Sequence, residues 1–332
     1  MKTGTQKAGV LVALLVLVAT YFPGTAFSAS PRKLADGYPN KPITIIADWG
    51  AGGGMGTTLR TLTPKFQEIT GVPLNMIYGV KGGNGLVANQ KVMKEPADGY
   101  TMFDFSPDFV INSILKRGNH DYSQGIPCVR LHKDVSAWHV RADSPLKTIQ
   151  DLINYAKKNP GKLVVGGIGK ATMEELIVGG FALAAGIDVK YVSFNGAPES
   201  VAALLGGHID VYNDESGPVS ANMESGQIRT LVVMSEKRLK FLPNVPTSVE
   251  LGYNVTSGRY RALGVKRGTP EERVKYLAQA FIDAQDTPEY KKLVKDWFLE
   301  DKPGGPSELQ QEWENDRKTY SVVLKKLGFI SE

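Results

Sequence analysis

Cysteine is nearly missing from this chain: Cys128 is the only one in 332 residues. That excludes an intrachain disulfide framework, and its distance from the N-terminus excludes a lipid-acceptor cysteine at an export cleavage site. Runs of like charge are missing too. The 39 Lys and Arg and 34 Asp and Glu, a formal net charge of +5, are spread through amphipathic stretches and leave no nucleic-acid footprint. No Gly-x-Ser-x-Gly elbow occurs, and His120, His132, His139 and His208 have neither metal-ligand spacing nor a neighbouring nucleophile, which reads them as surface or interlobe residues. Gly169-Lys170-Ala171 lacks a phosphate loop's earlier glycine, where Val164 stands, and its Ser or Thr, where Ala171 stands. Gly83-Asn84-Gly85-Leu86-Val87-Ala88 fits a loose dinucleotide fingerprint with Asp104 downstream. The preceding loop from Gly79 to Gly82 is too long for the tight turn that motif needs. The expectation is a protein without catalytic set, metal or cofactor.

One apolar run without charge stands out, Val10 to Ala19, preceded by Lys2 and Lys7 and followed by Phe22-Pro23-Gly24 and the small-residue stretch Ala26-Phe27-Ser28-Ala29. This is the layout of a secretory signal peptide over residues 1–28, with Ala29 opening the mature chain. The run is too short for a stable bilayer anchor. Twin arginines are absent, so export is expected in the unfolded state, without a preloaded cofactor. Together these features predict a free protein in a bacterial periplasm. With 42% apolar residues, the roughly 300 residues that remain suffice for two cores and favour two domains.

Short β-like runs alternate with helical periods: Ile43 to Ala47, Leu74 to Tyr78, Thr101 to Phe105, Ala137 to Arg141, Leu163 to Val165, Lys190 to Phe194, His208 to Tyr212 and Thr230 to Met234. Helices are expected over Thr148 to Lys158, Thr172 to Ala185, Ala197 to Leu205 and Pro270 to Gln285. This is an α/β pattern with parallel strands, too many for one sheet. Ser136 to Arg141 and Arg261 to Lys266 look alike, each a strand before a turn containing Pro145 or Pro270, and read as the two crossings of a hinge. One domain then spans 36–138 plus 260–332, and a second, 139–259, is inserted in it.

Two glycine-rich turns carry the clearest chemical suggestion. Ala51-Gly52-Gly53-Gly54 follows one β-like run, Gly166-Gly167-Ile168-Gly169 follows another, and each leads into a helical stretch. The first amides of a helix lack partners, the helix dipole favours negative charge there, and glycine lets an anion approach. Two anion cradles facing one ligand is one reading; two tight βα turns is the other.

Ordered motifs then carry a resemblance. Tyr38-Pro39-Asn40-Lys41-Pro42-Ile43, Ala51 to Gly54 with Arg60, Pro96-Ala97-Asp98-Gly99-Tyr100-Thr101, Leu204-Leu205-Gly206-Gly207-His208-Ile209-Asp210, Leu242-Pro243-Asn244-Val245-Pro246-Thr247 and Gly268-Thr269-Pro270 are similar, in order and spacing, to the extracytoplasmic receptors of tripartite tricarboxylate transporters, the Bug family. The resemblance implies a two-lobed type II periplasmic binding protein that closes on a small carboxylate and hands it to a permease of one large and one small membrane subunit. It also implies a monomer, no catalysis, and carboxylates held mainly by loop amides, hydroxyls and water. By position it implies a site of Trp49, Ala51, Gly52, Gly53, Gly54 and Ser106 in one lobe and Gly167, Gly169, Thr172, Phe194, Asn195 and Asp214 in the other.

Departures from the family pattern bear on the ligand. Gly56 replaces an aspartate, Asp48 replaces a proline, and Gly79 to Lys81 depart from an Asn-Arg-Pro-Gly pattern. Asp48, Asp104, Asp108, Asp214 and Glu215 could gather around a cation. The plainer expectation is helix caps that stay solvated, with one of them meeting an amino or hydroxyl group of the ligand. The competing class is an exported two-domain α/β enzyme, a hydrolase or oxidoreductase.

Overall fold

Short apolar runs bounded by glycine, proline and small polar residues become strands, and the 3.6-residue periods between them become helices. The computed structural model describes residues 30–47, 50–78, 86–118, 121–256 and 259–331, apart from the side chain of Val87. The signal-peptide reading, Asp48, Trp49, the segment 79–85 and His120 lie outside the described residues. The strands are β1 (Ile43–Ala47), β2 (Leu74–Tyr78), β3 (Thr101–Asp104), β4 (Gly125–Lys133), β5 (Ser136–Arg141), β6 (Leu163–Ile168), β7 (Val189–Phe194), β8 (Val211–Glu215), β9 (Ile228–Val233) and β10 (Tyr260–Lys266). The helices are α1 (Gly54–Thr70), α2 (Leu86–Val92), α3 (Pro107–Ile114), α4 (Ile149–Lys158), α5 (Met173–Ala185), α6 (Ala197–Leu205), α7 (Ser220–Glu224), α8 (Glu271–Asp283), α9 (Pro288–Asp296) and α10 (Pro306–Lys326).

Among the described residues the strands form two five-stranded sheets, β2-β1-β3-β10-β4 and β7-β6-β8-β5-β9. In each sheet the first three strands in this order are parallel and the fourth runs antiparallel to both neighbours. That fourth strand is the one entered after the chain crosses between sheets: between Lys133 and Ser136 on the way out, and between Val233 and Tyr260 on the way back. The result is an α/β, two-lobed type II binding-protein fold. Each lobe has its own core, with Phe66 stacked on Phe281 at 4.3 Å in the first and Trp138 against Phe181 at 4.8 Å in the second. Helices α3 and α10 bridge them: Val110, Ile111, Tyr320 and Leu324 pack into the second lobe's core, while Phe109 and Leu309 of the same helices sit with Phe103 and Phe105 in the first lobe.

Two elements differ from the sequence expectation for identifiable reasons. Strand β4 contains Pro127, a residue without an amide proton that reads as a breaker, yet β4 is an edge strand, where proline is tolerated. Strand β8 runs three residues later than the expected His208 to Tyr212 because Asp214 and Glu215, which read as loop acids, lie within it and are buried. His132 and His139 are interior rather than surface residues: His132 Nε2 lies 3.2 Å from Asp134, and His139 Nδ1 lies 3.0 Å from Thr230 Oγ1.

Cys128 is buried, with its Sγ 3.5 Å from the Val274 carbonyl, and burial pushes its thiol pKa up. Because the thiolate is the reactive species, Ellman's reagent should label the protein only after denaturant is added. Rapid labelling of the native protein would contradict this packing.

Candidate functional site

A cavity of about 350 Å³ opens between the facing strand ends of the two lobes, where open α/β sheets bind ligands. Its first-lobe wall is the turn after β1, Gly50 to Met55. Gly53 is the N-cap of the 17-residue helix α1, in extended conformation, and no side chain caps the helix start. Gly53 itself donates to the Gly50 carbonyl at 3.1 Å, so the loop is pre-formed. The amides of Gly54, Met55 and Gly56 have no acceptor among the described residues, which leaves the positive end of the helix facing the cleft.

Close approach explains two of the glycines. A Cβ on Gly56 would overlap the Ala51 carbonyl, so the aspartate of the family pattern cannot stand here with this loop conformation. A Cβ on Gly54 would lie 2.5 Å from both Arg261 Nη2 and Glu215 Oε1; the absent side chain lets the helix start meet this ion pair.

The opposite wall is built by Ile168, the last residue of β6, and by Asn195 to Glu199, the start of α6. Gly167, Gly169 and Thr172 do not line the cavity. The start of α5 is already closed by the protein's own acids: Met173 N–H donates to Asp108 Oδ1 at 3.0 Å and Ala171 N–H donates to Glu175 Oε2 at 2.5 Å. Arg117 adds hydrogen bonds to the Ala171 and Lys170 carbonyls, both at 3.2 Å. Thr172 Oγ1 donates to the Ile168 carbonyl at 2.6 Å, and Gly167 packs against Tyr191. Ser106 is the buried N-cap residue of α3, and Phe194 packs with Leu204, Ile209 and Tyr212; neither reaches the cavity. Of the residues singled out from sequence, Ala51, Gly52, Gly53, Gly54 and Asn195 are brought together around it, and Trp49 lies outside the described residues.

The floor is a buried charge cluster: sequence reasoning singled out its Asp214 and Glu215 but missed Arg259, Arg261, Asp134 and Glu174. Arg259 and Arg261 stand two residues apart at the start of β10, so they project to the same side, and both line the cavity. Arg259 Nη1 contacts Glu174 and lies 2.7 Å from Asp214 Oδ1. Its Nε lies 3.4 Å from Glu215. Arg261 Nε lies 2.6 Å from Asp134 Oδ2, and its Nη2 contacts Glu215. Asp134 N–H donates to the Arg259 carbonyl at 3.0 Å, which ties the two interlobe crossings together. The expectation of solvated acids is thereby corrected for Asp104, Asp108, Asp214 and Glu215, all of which are buried; of the four, Asp108 does close a helix start, that of α5.

Burial in this cluster opposes charge, and the arginines oppose burial. Burial pushes the carboxyls of Asp104 and Asp214 up to about 6 despite Arg261, and pushes Glu215 well up. Asp134 moves the other way: burial acts to raise it, but Arg261, His132 and Arg259 together hold it below the usual carboxylate range. Burial and the neighbouring Arg261 lower Arg259 to about 10. At neutral pH the cleft thus presents two guanidinium groups, a bare helix start and a reserve of buried carboxylates. Among the described residues no group of His, Cys, Asp and Glu side chains is arranged to hold a metal ion. A larger hollow of about 390 Å³ between α5 and α10 is lined mainly by apolar side chains, with Lys326 its one charged residue among those described.

Comparison with known proteins gives this geometry a context. Residues 60–329 match the family model described as tripartite tricarboxylate transporter family receptor. The UPF0065 protein in the gbd 5′ region of Cupriavidus necator is 28% identical over 97% of this chain and 96% of its own. Among solved structures, the periplasmic binding protein BugD superposes with a TM-score of 0.78 at 22% identity, covering 89% of this chain and all of BugD. Two Rhodopseudomonas palustris proteins share the fold. One is bound to adipate (TM-score 0.79, 24% identity, 88% of this chain and 98% of that one); the other is MatC with bound malate (TM-score 0.76, 20% identity, 86% of this chain and all of MatC). The family is one of solute-binding receptors, not enzymes. With the family model spanning most of the chain and the two-lobed fold in agreement, this protein belongs to the tripartite tricarboxylate transporter family receptors.

Proposed function

We propose that this protein is a periplasmic receptor that captures a small carboxylate in the interlobe cleft and delivers it to a permease with one large and one small membrane subunit. The carrying observation is that the uncapped start of α1 and the Arg259 and Arg261 side chains face the same cavity. Amides at a helix start and guanidinium groups both bind carboxylate through charge-assisted hydrogen bonds. Adipate and malate in two proteins of the same fold fit this reading. Ala51 to Gly54 and Asn195 form the ligand-facing loops, with the two lobes, joined at the crossings between Lys133 and Ser136 and between Val233 and Tyr260, closing on the ligand as the two bodies of a monomer. The leader reading and the absence, among the described residues, of a helix long and apolar enough to cross a membrane agree with action in the periplasm.

A thermal-shift screen of the chain from Ala29 onward over mono- and dicarboxylates tests the proposal, since a ligand bound only by the folded state at a hundred times its Kd stabilises by about 2.7 kcal/mol. At least one carboxylate should raise Tm and be recovered unchanged. A flat response across the screen, or turnover of the bound acid, would sink the receptor reading.

A further inference from the structure

We propose that the hollow between α5 and α10 is a second binding site, separate from the cleft, for an apolar chain that ends in a carboxylate, and that Lys326 receives the carboxylate. The inference goes beyond the receptor reading and does not depend on it.

The hollow, about 390 Å³, is larger than the cleft cavity and shares no lining residue with it among those described. That volume lies within the range of small-molecule sites. Its α5 wall is Met173, Leu176, Ile177, Gly180, Leu183 and Ala184, a spacing that sets them along one face of the helix. From Met173 to Ala184 this stripe runs about 16 Å and carries no charged side chain. Gly180 keeps its middle open, since a Cβ there would meet only Val255 Cγ1, at 3.9 Å. Leu183 is 54% exposed, so the stripe reaches solvent with an apolar side chain uncovered.

Charge is confined to the α10 wall. From Arg317 to Lys326 the helix holds Arg317, Lys318, Lys325 and Lys326 and no acid, whereas Leu176 to Ala185 and Leu251 to Thr256 carry no charge. Lysines in a last helical turn also answer the helix dipole, which accounts for Lys325 and Lys326 alike. What distinguishes Lys326 is its place: it is the one charged residue of the described lining, and it makes no ion pair among the described residues. Asn254, Thr256 and Thr319 add uncharged polar groups. An apolar stripe and a lysine in one hollow suit a ligand with an apolar body and one anionic end. Burial of the body removes apolar surface of both partners from water, and the ammonium donates charge-assisted hydrogen bonds to the carboxylate. A dicarboxylate would leave its second charge against the apolar stripe, at a desolvation cost.

Decanoate is the probe, titrated calorimetrically at pH 7.5 and below its micelle concentration into the chain from Ala29 onward. One decanoate should bind per protein, and decyltrimethylammonium, with the same chain and a cationic end, should bind at least ten-fold more weakly. Gly180→Leu fills the hollow with a better helix former and should weaken decanoate at least ten-fold; Lys326→Glu should weaken it at least five-fold. Both variants should bind the carboxylate found by the thermal-shift screen as the parent does. If Gly180→Leu does not fold, the exposed Lys326→Glu and the two head groups decide the question. Absence of decanoate binding, equal binding of the cationic amphiphile, indifference to either folded variant, or displacement of decanoate by the screen's carboxylate overturns the second site and leaves the receptor reading standing. Sedimentation of the protein with phosphatidylglycerol vesicles, abolished by Lys326→Glu, without binding of free decanoate would assign this face to a membrane surface and overturn the site as well. Decanoate bound as expected with no carboxylate found by the screen would support the second site and overturn the receptor reading.

Discussion

Arg261→Met should lower the stability of the folded protein by about 3–5 kcal/mol at pH 7, the usual cost of removing one partner from a buried ion pair. Arg261 is 4% exposed and sits against Asp134 and Glu215, so its loss leaves two interior carboxylates without their main counter-charge. The pH dependence gives the experiment its sign. Asp134 is held below its ordinary value in the native state, so it stabilises above the ordinary carboxylate range and loses that contribution as pH falls through its folded value. Asp104 and Asp214 are raised from 3.8 to about 6; their contribution is complete below 3.8 and is lost as pH rises through about 6. Without Arg261, Asp134 joins the raised class, and Glu215, already raised, moves further up. The deficit of the variant relative to the parent should therefore shrink between pH 7 and pH 5. Urea unfolding at pH 5, 6 and 7 measures this; a deficit below about 1 kcal/mol at pH 7, or one independent of pH, would mean that the cluster is not energetically coupled.

Gly56→Ala should show the opposite separation, a large loss of binding with little loss of stability. The added methyl overlaps the Ala51 carbonyl, a backbone group that can yield only if the 50–53 loop moves away from the cleft. Moving it also breaks the contact from Arg60 Nη1 to the same carbonyl. Inside α1, alanine is favoured over glycine by about 1 kcal/mol, which offsets much of the strain. One charge-assisted hydrogen bond lost from the ligand corresponds to about 1.5–3 kcal/mol, or roughly ten- to hundred-fold in Kd. Thermal melts that overlay the parent's, together with weaker titration of the best carboxylate, are the expected pair of results. Unchanged affinity would remove the α1 loop from the site.

The strand–helix alternation was legible because it is written in neighbouring residues. Apolar runs such as Ile43 to Ala47 and Leu74 to Tyr78 became strands with those bounds, and the stretch from Ala197 to Leu205 became a helix between Gly196 and Gly206. Where local signals conflicted, tertiary position decided: Pro127 sits in a strand because that strand is at an edge, and Asp214 and Glu215 extend β8 because arginines wait at its end. The two glycine turns looked equivalent in sequence. They part company in the fold because Asp108, from the bridging helix α3, accepts a hydrogen bond at the start of α5, while at the start of α1 no side chain caps the helix and the nearby Glu215 is engaged with Arg261.

What the sequence by itself determined is the α/β class, the family motifs and the first glycine loop, each encoded over a span short enough for turn chemistry and periodicity to act. What only the tertiary structure decided is the floor of the cleft and its second wall. Arg259 and Glu174 are 85 residues apart, Arg261 and Glu215 are 46 apart, and no local pattern marks either pair. They meet because β10 opens at the return crossing between the sheets, opposite the end of β8, which lies beside the other crossing strand, β5, and the start of α5. Once water is excluded there, charges that would read as ordinary surface residues must find each other or take up protons.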